Sequence, residues 1–134
     1  MAHKIKGIDK TLLHLIFEAS RSTHPKEFSA VLRQENGIIS EILPLPGTLS
    51  GMRSSILKLH MLPIDSSVVG IVHSHPSPNF RPSEADIHLF AKFGFIHIIC
   101  AYPYNMRSWA AYNYLGEEIQ LPVLEIKKKE KYYF

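Results

Sequence analysis

The stretch Val72-His73-Ser74-His75-Pro76-Ser77-Pro78-Asn79-Phe80-Arg81-Pro82-Ser83-Glu84-Ala85-Asp86 decides how the chain is read. Its approach, Val68 to His73, is an apolar, β-branched run of the kind that fills an inner strand. Residues two apart on a strand share a face, so His73 and His75 send their imidazoles to one side. Three prolines stiffen the segment from Pro76 to Pro82, and the last of them biases Arg81 away from helix. Ser83 then stands where a helix N-cap belongs, and Ser-x-x-Asp is a variant of the capping box. Strand, rigid loop and a helix from about Glu84 to Phe93 follow from this one segment.

Two imidazoles and a carboxylate are a donor set that zinc accepts, with a fourth position left for water in catalytic sites. Asp86, in the first turn of the helix, would bring the carboxylate to His73 and His75. Capping alone accounts for Ser83 and Asp86 without any metal. The coincidence with the histidine pair changes the balance: His-x-His-x7-Ser-x2-Asp arises by chance on the order of once in a thousand sequences of this composition. The two roles are compatible, because one carboxylate can cap a helix and ligate an ion. The segment therefore reads as a metal site.

Outward from it, Asp9 can cap a first helix over Lys10–Ser22, with Leu12, Leu15, Ile16 and Ala19 at helical spacing. His24-Pro25 ends that helix. Phe28–Gln34 and Ile38–Leu43 read as a hairpin around Glu35-Asn36-Gly37. Pro44 to Gly51 is loop chemistry, and Ser54–Met61 is a half-buried strand candidate. Phe95–Ala101 reads as a buried strand, and Ser108–Leu115 and Glu117–Val123 as a final pair around Gly116. The expectation is an α/β sandwich, a central mixed sheet flanked by two helices.

Composition sets bounds. The 134 residues suit one domain, and 46% hydrophobic with 20% charged residues is an ordinary globular profile. Apolar runs such as Ile96–Ala101 are too short to span a bilayer, and Met1 to Lys10 shows no secretory signal. A single cysteine, Cys100, excludes an internal disulfide and a thiolate-built zinc site, so the cytosol is the default location. Residues 1–125 hold 11 Lys/Arg and 11 Asp/Glu, and the +3 charge comes wholly from residues 126–134. The expected division is a domain over 1–125 and a short basic tail over 126–134. Nucleic-acid binding needs a basic face, which a neutral domain lacks.

The His-Ser-His-Pro run, followed at fixed spacing by Ser83 and Asp86, resembles the JAMM motif of the MPN+ metalloproteases, in a compact prokaryotic form. The resemblance covers most of the chain. It implies the MPN (cytidine-deaminase-like) α/β fold, Zn2+ held by His73, His75 and Asp86, and hydrolysis of an amide bond at the C-terminus of ubiquitin-like or sulfur-carrier proteins. It also implies a glutamate in a Pro-x-Glu segment opening the strand after the first helix. Pro25-Lys26-Glu27 matches, although Ala30 stands where a glycine is expected. Glu27 would then be the general base and the Ser83 hydroxyl an oxyanion donor. Only 48 residues follow Asp86. The second of the two insertions that grip ubiquitin in larger members is therefore expected to be absent, and the helix expected before Val68 to be reduced or missing.

Other residues read as structure. Cys100 belongs to a core strand, Trp109 to the core, and Arg81 to a solvated loop. His97 is structural, His88 points away from the site, and His14, His24 and His60 are isolated. A metallo-β-lactamase-type site wants Asp-His directly after the pair, where Pro76-Ser77 stands. A cytidine-deaminase-type site needs more cysteines. Two rivals to hydrolysis stay open: a non-catalytic MPN-type scaffold or ubiquitin-like-binding module, and a nucleic-acid binder working through Lys127–Lys131. Strand edges also leave a homodimer open.

Overall fold

The computed structural model describes residues 4–45 and 67–126. The expected strand over Ser54–Met61, the helix before Val68, His60, most of the Pro44–Gly51 loop and the basic tail lie outside them. Strand β1 (Gly7–Asp9) precedes helix α1 (Lys10–Thr23), and β2 (Ser29–Glu35) and β3 (Ile38–Pro44) form the hairpin. Then come β4 (Val68–His75), α2 (Glu84–Lys92), β5 (Ile96–Ala101), β6 (Trp109–Tyr112), β7 (Glu118–Ile119) and β8 (Val123–Leu124).

Each end of α1 has a local cause. The Asp9 carboxylate accepts from Thr11 N–H at 3.2 Å, satisfying an amide that the first turn leaves free. At the other end His24 leaves helical geometry and its amide closes on the Ser20 carbonyl. The buried stripe is Leu12, Leu13, Ile16, Phe17 and Ser20. This corrects the expected face, since Leu15 is 53% exposed. The set with Leu13 and Phe17 covers more apolar area, and that area decides which way the helix turns. The hairpin turn at Asn36 and Gly37 has φ of 55° and 82°, the pair of positive values that a tight two-residue turn demands.

The sheet runs β7-β6-β5-β4-β2-β3-β1-β8. Strand β4 lies at its centre, antiparallel to β2 and parallel to β5. The expected strand Glu117–Val123 is two short strands on opposite edges. Ile119 ends β7 and Val123 opens β8, and four residues reach at most about 14 Å. Eight flat strands would span about 34 Å at 4.7–4.9 Å each. The sheet must therefore curl until its edges approach. Helix α1 contacts β1, β3, β5 and β8, so it fills the concave side.

Alternation divides the strands between two cores. Ile8, Leu12, Ile16, Leu32, Ile39, Val72 and Ile98 pack on the α1 side. Ile71 with Leu89 and Phe93, and Ile99 with Phe90 and Tyr112, pack on the α2 side. Cys100 is buried on the α1 side, and burial pushes its thiol up to about 12, so it stays an unreactive core group. Trp109 packs against the same core. The unit β4–α2–β5 has parallel strands with the helix between them, and the chain leaves the carboxyl end of β4 directly into the rigid loop. Open α/β sheets bind ligands at such strand ends.

Candidate metal centre

His73 and His75 occupy the last turns of β4, both on the α2 side, as the two-residue period requires. Helix α2 begins at Glu84, and a reciprocal capping box anchors it. Asp86 N–H donates to Ser83 Oγ at 3.1 Å, and Ser83 N–H donates to Asp86 Oδ2 at 2.8 Å. This fixes the carboxylate against the histidines. His73 Nε2 lies 3.1 Å from Asp86 Oδ1, and His75 Nε2 lies 3.3 Å from Asp86 Oδ2. The two Nε2 atoms are 3.2 Å apart. His73 and Asp86 are each 1% exposed and His75 is 17% exposed, so the histidine at the strand end faces the opening.

The donors suit a zinc ion. Ligands about 2.0–2.1 Å from a tetrahedral centre lie about 3.3 Å from one another. The three separations just given, each histidine measured to its own nearer Asp86 oxygen, lie at or just under that spacing. The ring of His75 adds a second argument. Its Nδ1 sits 2.8 Å from the Asn79 carbonyl, which can only accept, so Nδ1 carries the proton. The Nε2 lone pair is then turned toward the Asp86 oxygen, another acceptor. In the neutral ring that juxtaposition needs a proton or a cation between the two atoms, and a ring N–H on a carbonyl is the usual support of a metal-bound imidazole.

Protonation follows the same field. Burial alone would raise the Asp86 carboxyl, but hydrogen bonds from His73, His75 and Ser83 N–H outweigh it and hold the group well below the usual carboxylate range. Burial alone would lower His75, yet Asp86 and the Asn79 carbonyl reverse the sign and leave its pKa raised. The negative charge that favours a proton there favours a metal ion as well.

Glu27 is half-buried and precedes β2. Phe28 N–H donates to Ser74 Oγ and the Phe28 carbonyl accepts from Ser74 N–H, which extends the β2–β4 pairing beyond Ser29 and His73. Continued one step further, that register would bring Glu27 opposite His75. The Glu27 charge contributes to raising His75. Ser83 is exposed, and its oxygen accepts a bond while its proton stays available.

Other supports have no signature in the motif. The Tyr112 hydroxyl donates to the Phe80 carbonyl and pins the rigid loop beside Asn79. Burial pushes that phenol up to about 12, which keeps it a donor. Arg81 is exposed, as expected, while its amide bonds Asn79 Oδ1 at 3.0 Å. His88 is exposed and takes no part. His97 is buried and stacked on Phe90 at 4.1 Å, as a structural residue should be. His24 is not isolated: its Nδ1 pairs with the Tyr104 hydroxyl at 2.7 Å. Within the described residues His73, His75 and Asp86 are the group able to hold a metal ion. No helix of the described residues is long and apolar enough to cross a membrane.

Known proteins resemble this chain in sequence and fold. Residues 9–112 match the family described as prokaryotic homologs of the JAB domain. A probable metalloprotease of Haloferax volcanii is 34% identical over 134 residues, covering 92% of this chain and 83% of that protein. A crystal structure of a JAB1/MPN domain protein from Archaeoglobus fulgidus superposes with a TM-score of 0.74 at 44% identity, over 89% of this chain and 99% of the other. A second structure, reported as "JAMM: A Metalloprotease-like Zinc Site in the Proteasome and Signalosome", gives 0.72 at 41% identity over 91% and 100%. A Desulfitobacterium hafniense protein shares the fold alone, at 16% identity and a TM-score of 0.54.

Proposed function

Because the chain belongs to the prokaryotic JAB-domain family of JAMM/MPN+ proteins, we propose that it is a zinc-dependent peptidase or isopeptidase acting at the C-terminal amide of a ubiquitin-like or sulfur-carrier protein. The coarser part, a metalloprotease-like hydrolase with a zinc-suited triad, is carried by the relatives and the donor geometry. The observation that carries the rest is the convergence of His73, His75 and Asp86 beside Glu27, with Ser83 at the helix start.

Zinc, when bound, supplies a Lewis acid that polarises the scissile carbonyl and makes a water more acidic. His73, His75 and Asp86 would hold the ion, and two of them are almost fully buried, which leaves the more open side at His75. Glu27, whose charge acts on His75, takes the proton of the attacking water and delivers it to the departing amine. The Ser83 hydroxyl donates to the carbonyl oxygen as negative charge gathers on it. Its own oxygen is already occupied by Asp86 N–H, which orients the proton outward. The products are an amine and a carboxylate, with no covalent link to the protein.

The substrate class is the one suggested by the JAMM resemblance. The test is cleavage of fusions between ubiquitin-like proteins and a reporter, with and without chelator. Wild-type protein should cleave, and chelator should stop it. Glu27→Gln should lower kcat by at least about 100-fold while keeping zinc. Cleavage unaffected by both treatments would remove the zinc-dependent, Glu27-based mechanism, and no cleavage with intact binding would leave a binding module.

A further inference from the structure

Ser29 Oγ and His73 Nδ1 are buried side-chain atoms with no hydrogen-bond partner. They are also neighbours in the sheet: Ser29 is the cross-strand partner of His73. Cross-strand partners send their side chains to one face with Cβ atoms about 4.5–5.5 Å apart. Ser29 is 4% exposed and His73 is 1% exposed, so neither atom can turn to bulk water instead. Two unsatisfied polar groups on one buried face are a cost that a folded chain rarely carries without a use.

The imidazole chemistry supplies that use. When a histidine ligates through Nε2, its proton sits on Nδ1 and needs an acceptor. For His75 the acceptor is the Asn79 carbonyl at 2.8 Å. For His73 no carbonyl or carboxylate takes this place among the described residues, and the group opposite is the Ser29 hydroxyl. A hydroxyl turns freely and can accept or donate, so rotation about χ1 lets it serve whichever tautomer His73 adopts.

We propose that Ser29 is a positioning residue whose hydroxyl accepts the Nδ1–H of His73 when His73 Nε2 serves as a metal ligand. The proposal rests on the zinc reading of the triad. Neither atom has a hydrogen-bond partner in this structure, so the hydroxyl is a buried group without return. On loading it fixes the tautomer and plane of the most buried ligand ring.

The consequence is a pair of effects with opposite signs. Ser29→Ala removes an unsatisfied hydroxyl, so the metal-free protein should be as stable as wild type or more stable in urea melts with chelator. The same variant should bind zinc about 10–100-fold more weakly in competition with a chromophoric chelator. In zinc-loaded wild type the His73 Nδ1–H should exchange slowly by NMR, and in Ser29→Ala it should exchange fast. Ser29→Thr keeps the hydroxyl and should recover the affinity. Equal affinity and an unchanged Nδ1–H in Ser29→Ala would overturn the proposal, as would a loss of affinity matched by a loss of metal-free stability. Wild-type protein that binds no zinc would overturn the metal reading itself, which separates the two failures.

Discussion

His97 shows what a histidine on the ligand side of the sheet becomes when no acid meets it. It sits in register with Ile71, two residues from His73 along the strand pairing, and it is fully buried. Burial pulls its pKa down to about 4 from 6.5. The folded chain thus keeps the ring neutral where the unfolded chain would protonate it. Stability should therefore fall as pH drops from about 6.5 to about 4 and change no further through this group below that. His97→Leu should remove about one proton from the uptake on unfolding, read as a flatter pH dependence of the urea midpoint in chelator. An unchanged slope would assign the pH dependence elsewhere. The contrast with His73 and His75 explains why those two were legible in the sequence: the period of the strand and the capping spacing together bring Asp86 to them. Glu27 was named from the family resemblance alone, because a half-buried glutamate before a strand has no signature of its own. The Asn79 carbonyl, the Tyr112 hydroxyl on the Phe80 carbonyl and the His24–Tyr104 pair were not legible. Backbone acceptors belong to every residue, and the last two contacts span 32 and 80 positions.

At the level of elements, the central strand β4 carries the ligands and is held on both sides, so its pairing with β5 sets the position of the site. Gly70 is its tightest point. A Cβ there would stand 1.5 Å from the Ile96 carbonyl oxygen, a backbone atom that cannot move aside. Gly70→Ala should break the β4–β5 pairing and cost more than about 3 kcal/mol, seen as loss of a cooperative melt. A variant that melts like wild type would show that the parallel pair has slack. Most element boundaries were readable within a residue or two, because apolar runs and the Asn36-Gly37 turn mark them. The face of α1 and the split of Glu117–Val123 were not readable. The first depends on which apolar residues the concave sheet can receive. The second depends on β8 finding β1, a partner more than a hundred residues away.

At the level of the whole molecule, the curl of the sheet puts α1 on the inside and leaves the carboxyl end of β4 with the start of α2 outside. One face is spent on stability and the other carries the site. The two are coupled through Asp86, which caps α2 and faces both histidines, so its removal would disturb helix and metal together. Substitution there cannot separate folding from ligation, and direct location of the metal can. The decisive measurement is an anomalous-difference map collected at the zinc edge from crystals of the zinc-loaded protein. The account predicts a single strong peak within about 2.0–2.2 Å of His73 Nε2, His75 Nε2 and an Asp86 oxygen. No peak at that point, or a peak held by other residues, would contradict it.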